Sequence, residues 1–324
     1  MNVFLFPGQG SQEIGMAADL FKAAAGFRSL VARASERAGA DLERLCRRGP
    51  ERELVRTKNL QPLMVCVSLG YLRHLTAAGV KPDRVLGHSL GEIAALAAAG
   101  SVSSETAVDI AAKRGELMGA AADRWPGGMV AVITSEREAI RRFLAETVPP
   151  GKLVLANDNA PNQIVLSGED GWIEQAVQFI NRGKLGQCRR LPVAGPWHSP
   201  AMAPAREEFE KWLEAIEFRA PQVPLLFNVT AAAETDPGAI RQLVARNLVE
   251  PVRWRECLDR LRAAGATALF EIGPGRVLSG LARANGFGDA TRISNVNNLR
   301  GVELAAGLTV CDSHRGVKPG KVQP

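Results

Sequence analysis

Apolar positions along this chain come in short runs separated by longer amphipathic stretches. Val3-Phe4-Leu5-Phe6-Pro7 is a continuous apolar run closed by proline, the pattern of a first strand. Residues 17–46, rich in Ala, Leu and Arg, read as helical. A second helix is expected over 61–74, with Pro62 in its first turn. A short strand at 82–86 precedes an Ala-rich helix at 91–99 that ends at Gly100, and another helix spans 104–122. Trp125-Pro126-Gly127-Gly128 then breaks the pattern. Shorter elements follow: strands at 129–133, 153–157, 163–167 and 188–192, with helices at 137–147 and 172–181. That order, βαββαβ, is the signature of a ferredoxin-like module. Beyond it lie a helix at 204–216, a strand at 224–229, helices at 238–247 and 254–264, and a strand at 268–272. Alternating strands and helices imply a parallel sheet flanked by helices.

The expected organisation is therefore an α/β protein in two parts. Residues 1–126 and 195–300 form a discontinuous large domain, and 127–194 an inserted ferredoxin-like subdomain. The apolar pattern fades from Val302, so 301–324, His314 included, is expected to be a disordered tail. No internal repeat is evident.

Composition narrows the function classes. The 324 residues are 46% hydrophobic and 23% charged, the balance of a soluble globular protein. No apolar run reaches the roughly 18 residues of a membrane span, and the first residues lack the basic start of a signal peptide. Five scattered cysteines, odd in number and without CxxC spacing, argue against a disulfide framework and a zinc site, and suit a reducing cytoplasm. A net charge of +6 fits a phosphate-bearing substrate or an acidic protein partner, and equally fits solubility alone. Aromatic residues are 5% and not interleaved with basic ones, which gives nucleic-acid binding little support.

The chemistry centres on Gly87-His88-Ser89-Leu90-Gly91, a GxSxG sequence between a strand and a helix. This is the context of a nucleophile elbow, a sharp turn that exposes its middle side chain at the end of an α/β-hydrolase-like sheet. A tight turn carrying a surface serine has the same bare pattern. A serine nucleophile needs a base, and only four histidines exist: His74, His88, His198 and His314. His74 reads as a structural residue on a helix, and His88 diverges from Ser89 on a sharp turn. By elimination His198, in a Gly-Pro turn after the inserted module, is the candidate base. No Asp or Glu stands where a triad acid is expected, so a backbone carbonyl is the candidate orienting group. The amide of Leu90 is the usual first oxyanion donor, and the Gly-rich turn after the first strand offers the amide of Gln9 as a second. Arg114, on the next helix, is either solvated or faces the serine. Facing it, its guanidinium fork would select an acyl group with a free carboxylate.

Taken together, Phe6-Pro7-Gly8-Gln9-Gly10-Ser11-Gln12, Gln61-Pro62, Gly87-His88-Ser89-Leu90-Gly91-Glu92, Arg114-Gly115, Gly195-Pro196-Trp197-His198-Ser199, Pro251-Val252-Arg253-Trp254 and Glu271-Ile272-Gly273-Pro274-Gly275 closely resemble the malonyl-CoA:acyl carrier protein transacylases of fatty acid synthesis and the acyltransferases of polyketide synthases. The resemblance spans about residues 3–300. It implies ping-pong malonyl transfer through a Ser89 acyl-enzyme to the phosphopantetheine thiol of an acyl carrier protein, with a Ser-His dyad. It implies Gln9 and Leu90 as backbone oxyanion donors, Arg114 on the malonyl carboxylate, Gln61 and Trp197 at the substrate, and a main-chain carbonyl near Asn247 orienting His198. No metal or resident cofactor is implied, coenzyme A entering only as substrate, and a monomer is expected. Trp197 departs from the phenylalanine common in malonyl-specific members, which leaves exclusion of methylmalonyl open. Asn297-Asn298-Leu299-Arg300-Gly301 is similar to stand-alone acyltransferases serving polyketide synthases in trans. The alternative is a hydrolase clearing acyl chains from carrier proteins on the same scaffold. Arg114 weighs against it, because burying a cation gains nothing for an uncharged acyl chain. A carrier-docking module with a dead site is the non-enzymatic alternative, disfavoured by Ser89, His198 and Arg114 occurring together.

Overall fold

The structure is a computed structural model that describes residues 1–313, with side chains through 307. Among the described residues nine strands form two sheets: β1 (Asn2–Phe6), β2 (Arg84–Gly87), β3 (Gly128–Ile133), β4 (Leu153–Ala160), β5 (Gln163–Gly168), β6 (Gln187–Arg190), β7 (Leu225–Leu226), β8 (Ala268–Ile272) and β9 (Arg292–Val296). The larger sheet has the order β7-β2-β1-β8-β9 and every neighbouring pair is parallel. Parallel strands need helical crossovers that cover both faces. Val3, Phe4, Leu5 and Phe6 are accordingly all fully buried, which is why β1 reads as an unbroken apolar run.

From β1 the chain goes to β2 on one side and later to β8 on the other. Loops at the carboxyl ends of β1 and β2 therefore open beside a point where strand order reverses, the usual place for a ligand in such sheets. The Pro7–Gln12 turn follows β1 and the elbow follows β2.

The smaller sheet, built within 128–190, has the antiparallel order β4-β5-β3-β6. Helices Arg137–Thr147 and Asp170–Arg182 join its strands in βαββαβ order, giving the ferredoxin-like arrangement. It has its own core of Val130, Val132, Ile140, Ile164, Leu166, Ile173 and Ile180. β4 touches the larger body directly. The amide of Val252 donates to Ala156 O and that of Asp158 to Val252 O, while Asp158 pairs with Arg137 and Arg255.

Four expectations change. The helical stretch 17–46 is three helices, because Ala24 is extended and Gly39 takes a left-handed cap before Asp41 starts a new N-terminus. Pro62 sits inside helix Thr57–Ala77, which begins earlier than its first-turn reading requires. The strand expected at 224–229 shrinks to the edge pair β7. The tail expected to be disordered from 301 is instead helix Leu299–Ser313. The Leu299 amide donates to Asp19 Oδ2, and Val302 and Ala305 are buried against the core. The intervals of three that carry those contacts are too few for the apolar pattern to announce a helix. His314 and the rest of the expected tail lie outside the described residues.

Candidate active site

The elbow is built from missing side-chain atoms. A Cβ on Gly91 would sit 2.0 Å from Phe6 O, and one on Gly87 would sit 1.9 Å from Gly91 C. Only glycine at both positions lets helix Gly91–Ala98 start against β1 and β2. Ser89, between them, is held at φ 50°, a left-handed conformation costly for a side-chain-bearing residue. Asn228 clasps the strained turn from outside. Its Oδ1 accepts from the Ser89 amide at 2.7 Å and its Nδ2 donates to Gly87 O at 2.8 Å.

Ser89 Oγ lies 2.7 Å from His198 Nε2. His198 Nδ1 lies 2.7 Å from Asn247 O, a carbonyl that can only accept, so Nδ1 carries the proton. Nε2 is then bare, and the Ser89 hydroxyl donates to it. Asn247 caps the end of helix Pro237–Arg246, where carbonyls lack helical partners and carry the negative end of the helix dipole. That end favours a cationic imidazole and stands where a triad carboxylate would. The loop of His198 is tight: its φ is 56°, its amide donates to Leu248 O, and Ser199 Oγ donates to Pro196 O at 2.6 Å.

Arg114 reaches the same point from helix Ser104–Arg124. A Cβ on Gly115 would lie 2.6 Å from Thr57 O, so glycine there brings this helix close to Thr57–Ala77 and Arg114 within reach of Gln61. Arg114 is 2% exposed and Gln61 fully buried. Nη1 donates to Gln61 Oε1 at 3.0 Å, and Nη2 donates to Asn247 Oδ1 at 3.0 Å and to Ser89 Oγ at 3.3 Å. Gln61 Nε2 in turn donates to Gln9 Oε1 at 3.1 Å. Ser89 and Gln9 are partly exposed, whereas Arg114, His198, Asn247 and Gln61 are buried behind them. The Arg114 cation thus lies behind Ser89 as seen from the exposed side. The amides of Gln9 and Leu90 donate to no group among the described residues.

Burial lowers the Arg114 guanidinium pKa, opposed by the nearby Glu92 carboxylate. Burial, then the Arg114 charge and His88, push His198 down to about 3, so it is a neutral acceptor at physiological pH. Burial raises the Glu92 carboxyl, opposed by the Asn228 amide and the Arg114 charge.

The remaining histidines fall elsewhere. His88 turns away from Ser89, with Nε2 2.8 Å from Asn159 Oδ1 and its ring edge-on to Trp254 at 5.1 Å. His74 lies on helix Thr57–Ala77. Trp197 is 4% exposed and folds back on its own loop. Its Cζ3 would be 2.7 Å from a Gly195 Cβ, which would also be 2.7 Å from Ala122 Cβ. The ring backs the His198 loop and makes no hydrogen bond to the polar cluster among the described residues. Sequence reasoning passed over Glu92 and Asn228. The available signals were a carboxylate inside the otherwise apolar helix Gly91–Ala98, and an Asn closing the apolar run Pro224-Leu225-Leu226-Phe227.

Among known proteins, residues 3–292 match the family described as acyl transferase domain. The malonyl CoA-acyl carrier protein transacylase of Bacillus subtilis is 38% identical over 281 residues, 86% of this chain and 89% of that protein. The polyketide biosynthesis malonyl CoA-acyl carrier protein transacylase PksC of the same organism is 38% identical over 283 residues, 87% of this chain and 96% of that protein. A solved malonyl-transacylase, in complex with a type II polyketide synthase acyl-carrier protein, superposes with a TM-score of 0.89 at 35% identity, covering 95% of this chain and 99% of that one. An elbow serine, a carbonyl-oriented histidine and a buried arginine thus sit on a scaffold shared along nearly the whole chain, and the protein belongs to the acyl transferase family.

Proposed function

We propose that this protein transfers a malonyl group from malonyl-CoA to the phosphopantetheine thiol of an acyl carrier protein through an ester on Ser89. The observation that carries the reading is the convergence of His198 Nε2 and Arg114 Nη2 on Ser89 Oγ, at 2.7 and 3.3 Å. A nucleophile, its base and a cation able to hold a carboxylate meet at one atom.

In the first half-reaction Ser89 Oγ attacks the thioester carbonyl carbon as its proton passes to His198 Nε2. The amides of Gln9 and Leu90 receive the oxyanion, and the dipole end at Asn247 stabilises the imidazolium. The C–S bond breaks, and the coenzyme A sulfur leaves with the proton from Nε2. In the second half-reaction Nε2 takes the proton of the carrier thiol. The thiolate attacks the ester carbonyl, the C–Oγ bond breaks, and Oγ recovers the proton. Arg114, held by Gln61 and Asn247, binds the distal carboxylate throughout. Trp197, packed within the base's own loop, stiffens it. Every proton in this scheme is moved by a protein group or a substrate thiol, so neither metal nor resident cofactor takes part.

Among the described residues no helix is long and apolar enough to cross a membrane. A monomer in the cytoplasm completes the proposal, the compartment being supported by the free thiols of Cys46, Cys66, Cys188 and Cys257. The pathway, fatty acid or polyketide, follows from the carrier protein served.

The test is intact-protein mass after brief mixing with malonyl-CoA or acetyl-CoA, then with a carrier protein. A malonyl adduct on Ser89 that persists in water and disappears on adding carrier supports the transferase. An adduct from acetyl-CoA alone, lost quickly without carrier, would establish the hydrolase instead.

A further inference from the structure

We infer that Glu92 is a positioning residue for acyl transfer, tying the nucleophile's turn, the base and the carboxylate-binding cation into one hydrogen-bonded unit. The inference deepens the reading above and rests on Ser89 as the nucleophile. Glu92 follows the elbow by three residues and is 2% exposed. A carboxyl so buried requires hydrogen-bond partners for its oxygens, and those partners are the two asparagines that hold the site. Oε2 accepts from the Asn228 amide at 2.8 Å, and Oε1 accepts from Asn247 Nδ2 at 3.4 Å.

Each asparagine passes the constraint on. Asn228, anchored by its backbone, accepts from the Ser89 amide and donates to Gly87 O, bracing the turn that keeps Ser89 at positive φ. Asn247 accepts from Arg114 Nη2 through Oδ1 while its main-chain oxygen accepts from His198 Nδ1. Arg114 is donor-only, so Asn247 turns Oδ1 toward it and leaves Nδ2 to face Glu92. Glu92 therefore holds the other end of the amide that meets Arg114.

Glu92→Gln preserves shape and removes this logic. One end of the new amide is a donor, and it faces either the Asn228 N–H or Asn247 Nδ2, so one contact becomes donor against donor. A carboxylate serving packing alone would lower stability on substitution and leave chemistry in the folded fraction unchanged.

The deciding experiment measures labelling of Ser89 by a fluorophosphonate. The Ser89 Oγ–P bond forms, the P–F bond breaks, and fluoride and the serine proton depart, the proton by way of His198. That reaction needs the Ser89–His198 pair but no malonyl group and no carrier, so its outcome stands apart from the malonyl-CoA experiment. Glu92→Gln and Asn228→Ala are each expected to slow labelling by about tenfold or more, a cost in keeping with sub-ångström misplacement of a nucleophile. The double variant should be no more than about threefold slower than Glu92→Gln, because both act through one path. A Glu92→Gln protein that melts cooperatively and labels at the wild-type rate overturns the inference. Should that variant fail to fold, Asn228→Ala decides, and wild-type labelling there overturns it equally. A wild-type chain that labels but takes no malonyl refutes the malonyl proposal and leaves Glu92 to be judged by its own variants.

Discussion

The Nδ1 of His198 rests 2.7 Å from the carbonyl oxygen of Asn247, with a helix end where a triad carboxylate would otherwise be. His198, the proposed base, therefore has no formal negative charge hydrogen-bonded to it, and it has a guanidinium nearby. Burial and that charge hold its pKa at about 3. The unperturbed value is near 6.5, so between the two an unfolded chain takes up a proton that the folded chain refuses. This contribution to stability is full above pH about 6.5 and is lost as pH falls toward the folded value. His88, whose pKa desolvation also lowers, adds in the same direction. Thermal melts should show stability falling below pH 6.5, by at most about 1.4 kcal/mol per pH unit for each histidine, and His198→Ala should flatten the slope. Initial rates of Ser89 acylation, taken before unfolding, should be level over the same range. A rate that titrates with midpoint near the ordinary histidine value would contradict the neutral, buried base.

Arg114 sets the second prediction. Its charge is nearly inaccessible to water and directed at Ser89 Oγ. Arg114→Ala should slow malonyl transfer about a hundredfold or more, the loss of charge-assisted hydrogen bonds to a carboxylate. Acetyl transfer should change by no more than a few-fold. Arg114→Lys should recover little, because an ammonium cannot span Gln61, Asn247 and a substrate carboxylate as the planar fork does. Equal losses with both donors would remove Arg114 from acyl selection.

Gly91 makes a stability prediction. A methyl there would meet the Phe6 carbonyl oxygen at 2.0 Å, and both partners are main chain, so neither can rotate away. Gly91→Ala should cost about 3 kcal/mol or more, seen as a lower denaturant midpoint or loss of soluble protein. Gly119→Ala, with nothing within 4 Å of the added atom on a helix of the same layer, is the control and should be neutral or mildly stabilising.

How much of this the sequence announced follows from how local each feature is. β1 is legible because burial on both faces leaves four successive residues, Val3 to Phe6, no polar alternative. The elbow is legible because two glycines and a serine at fixed spacing have few other uses. The ferredoxin-like module shows because its four strands alternate with two strongly amphipathic helices. Helix Val277–Ala284 and β9 went unseen, the first being short and started by no capping side chain, the second only partly buried along most of its length. Arg114 facing Ser89 is beyond local pattern, since it depends on two helices meeting at Gly115, and only the family resemblance supplied it. Glu92 and Asn228 escaped because each acts through a partner more than a hundred residues away.

Gln61 offers the last test of how the cation is poised. It is fully buried, with Oε1 accepting from Arg114 Nη1 and Nε2 donating to Gln9 Oε1, so it links the cation to the loop of Gln9, the proposed oxyanion donor. Gln61→Glu is nearly isosteric and puts a carboxylate 3.0 Å from the same guanidinium nitrogen. That internal anion competes with the malonyl carboxylate for one fork, and it faces the Gln9 carbonyl oxygen with an acceptor instead of a donor. The expected result is a KM for malonyl-CoA raised about tenfold or more, with kcat for acetyl-CoA falling by a smaller factor through the disturbed Gln9 loop. Gln61→Ala separates the two effects: it frees the fork without competing for it, so its malonyl KM should rise less than that of Gln61→Glu. If the two variants raised the malonyl KM alike, Gln61 would act by filling space, and its hydrogen bond would not be what aims Arg114 at the substrate.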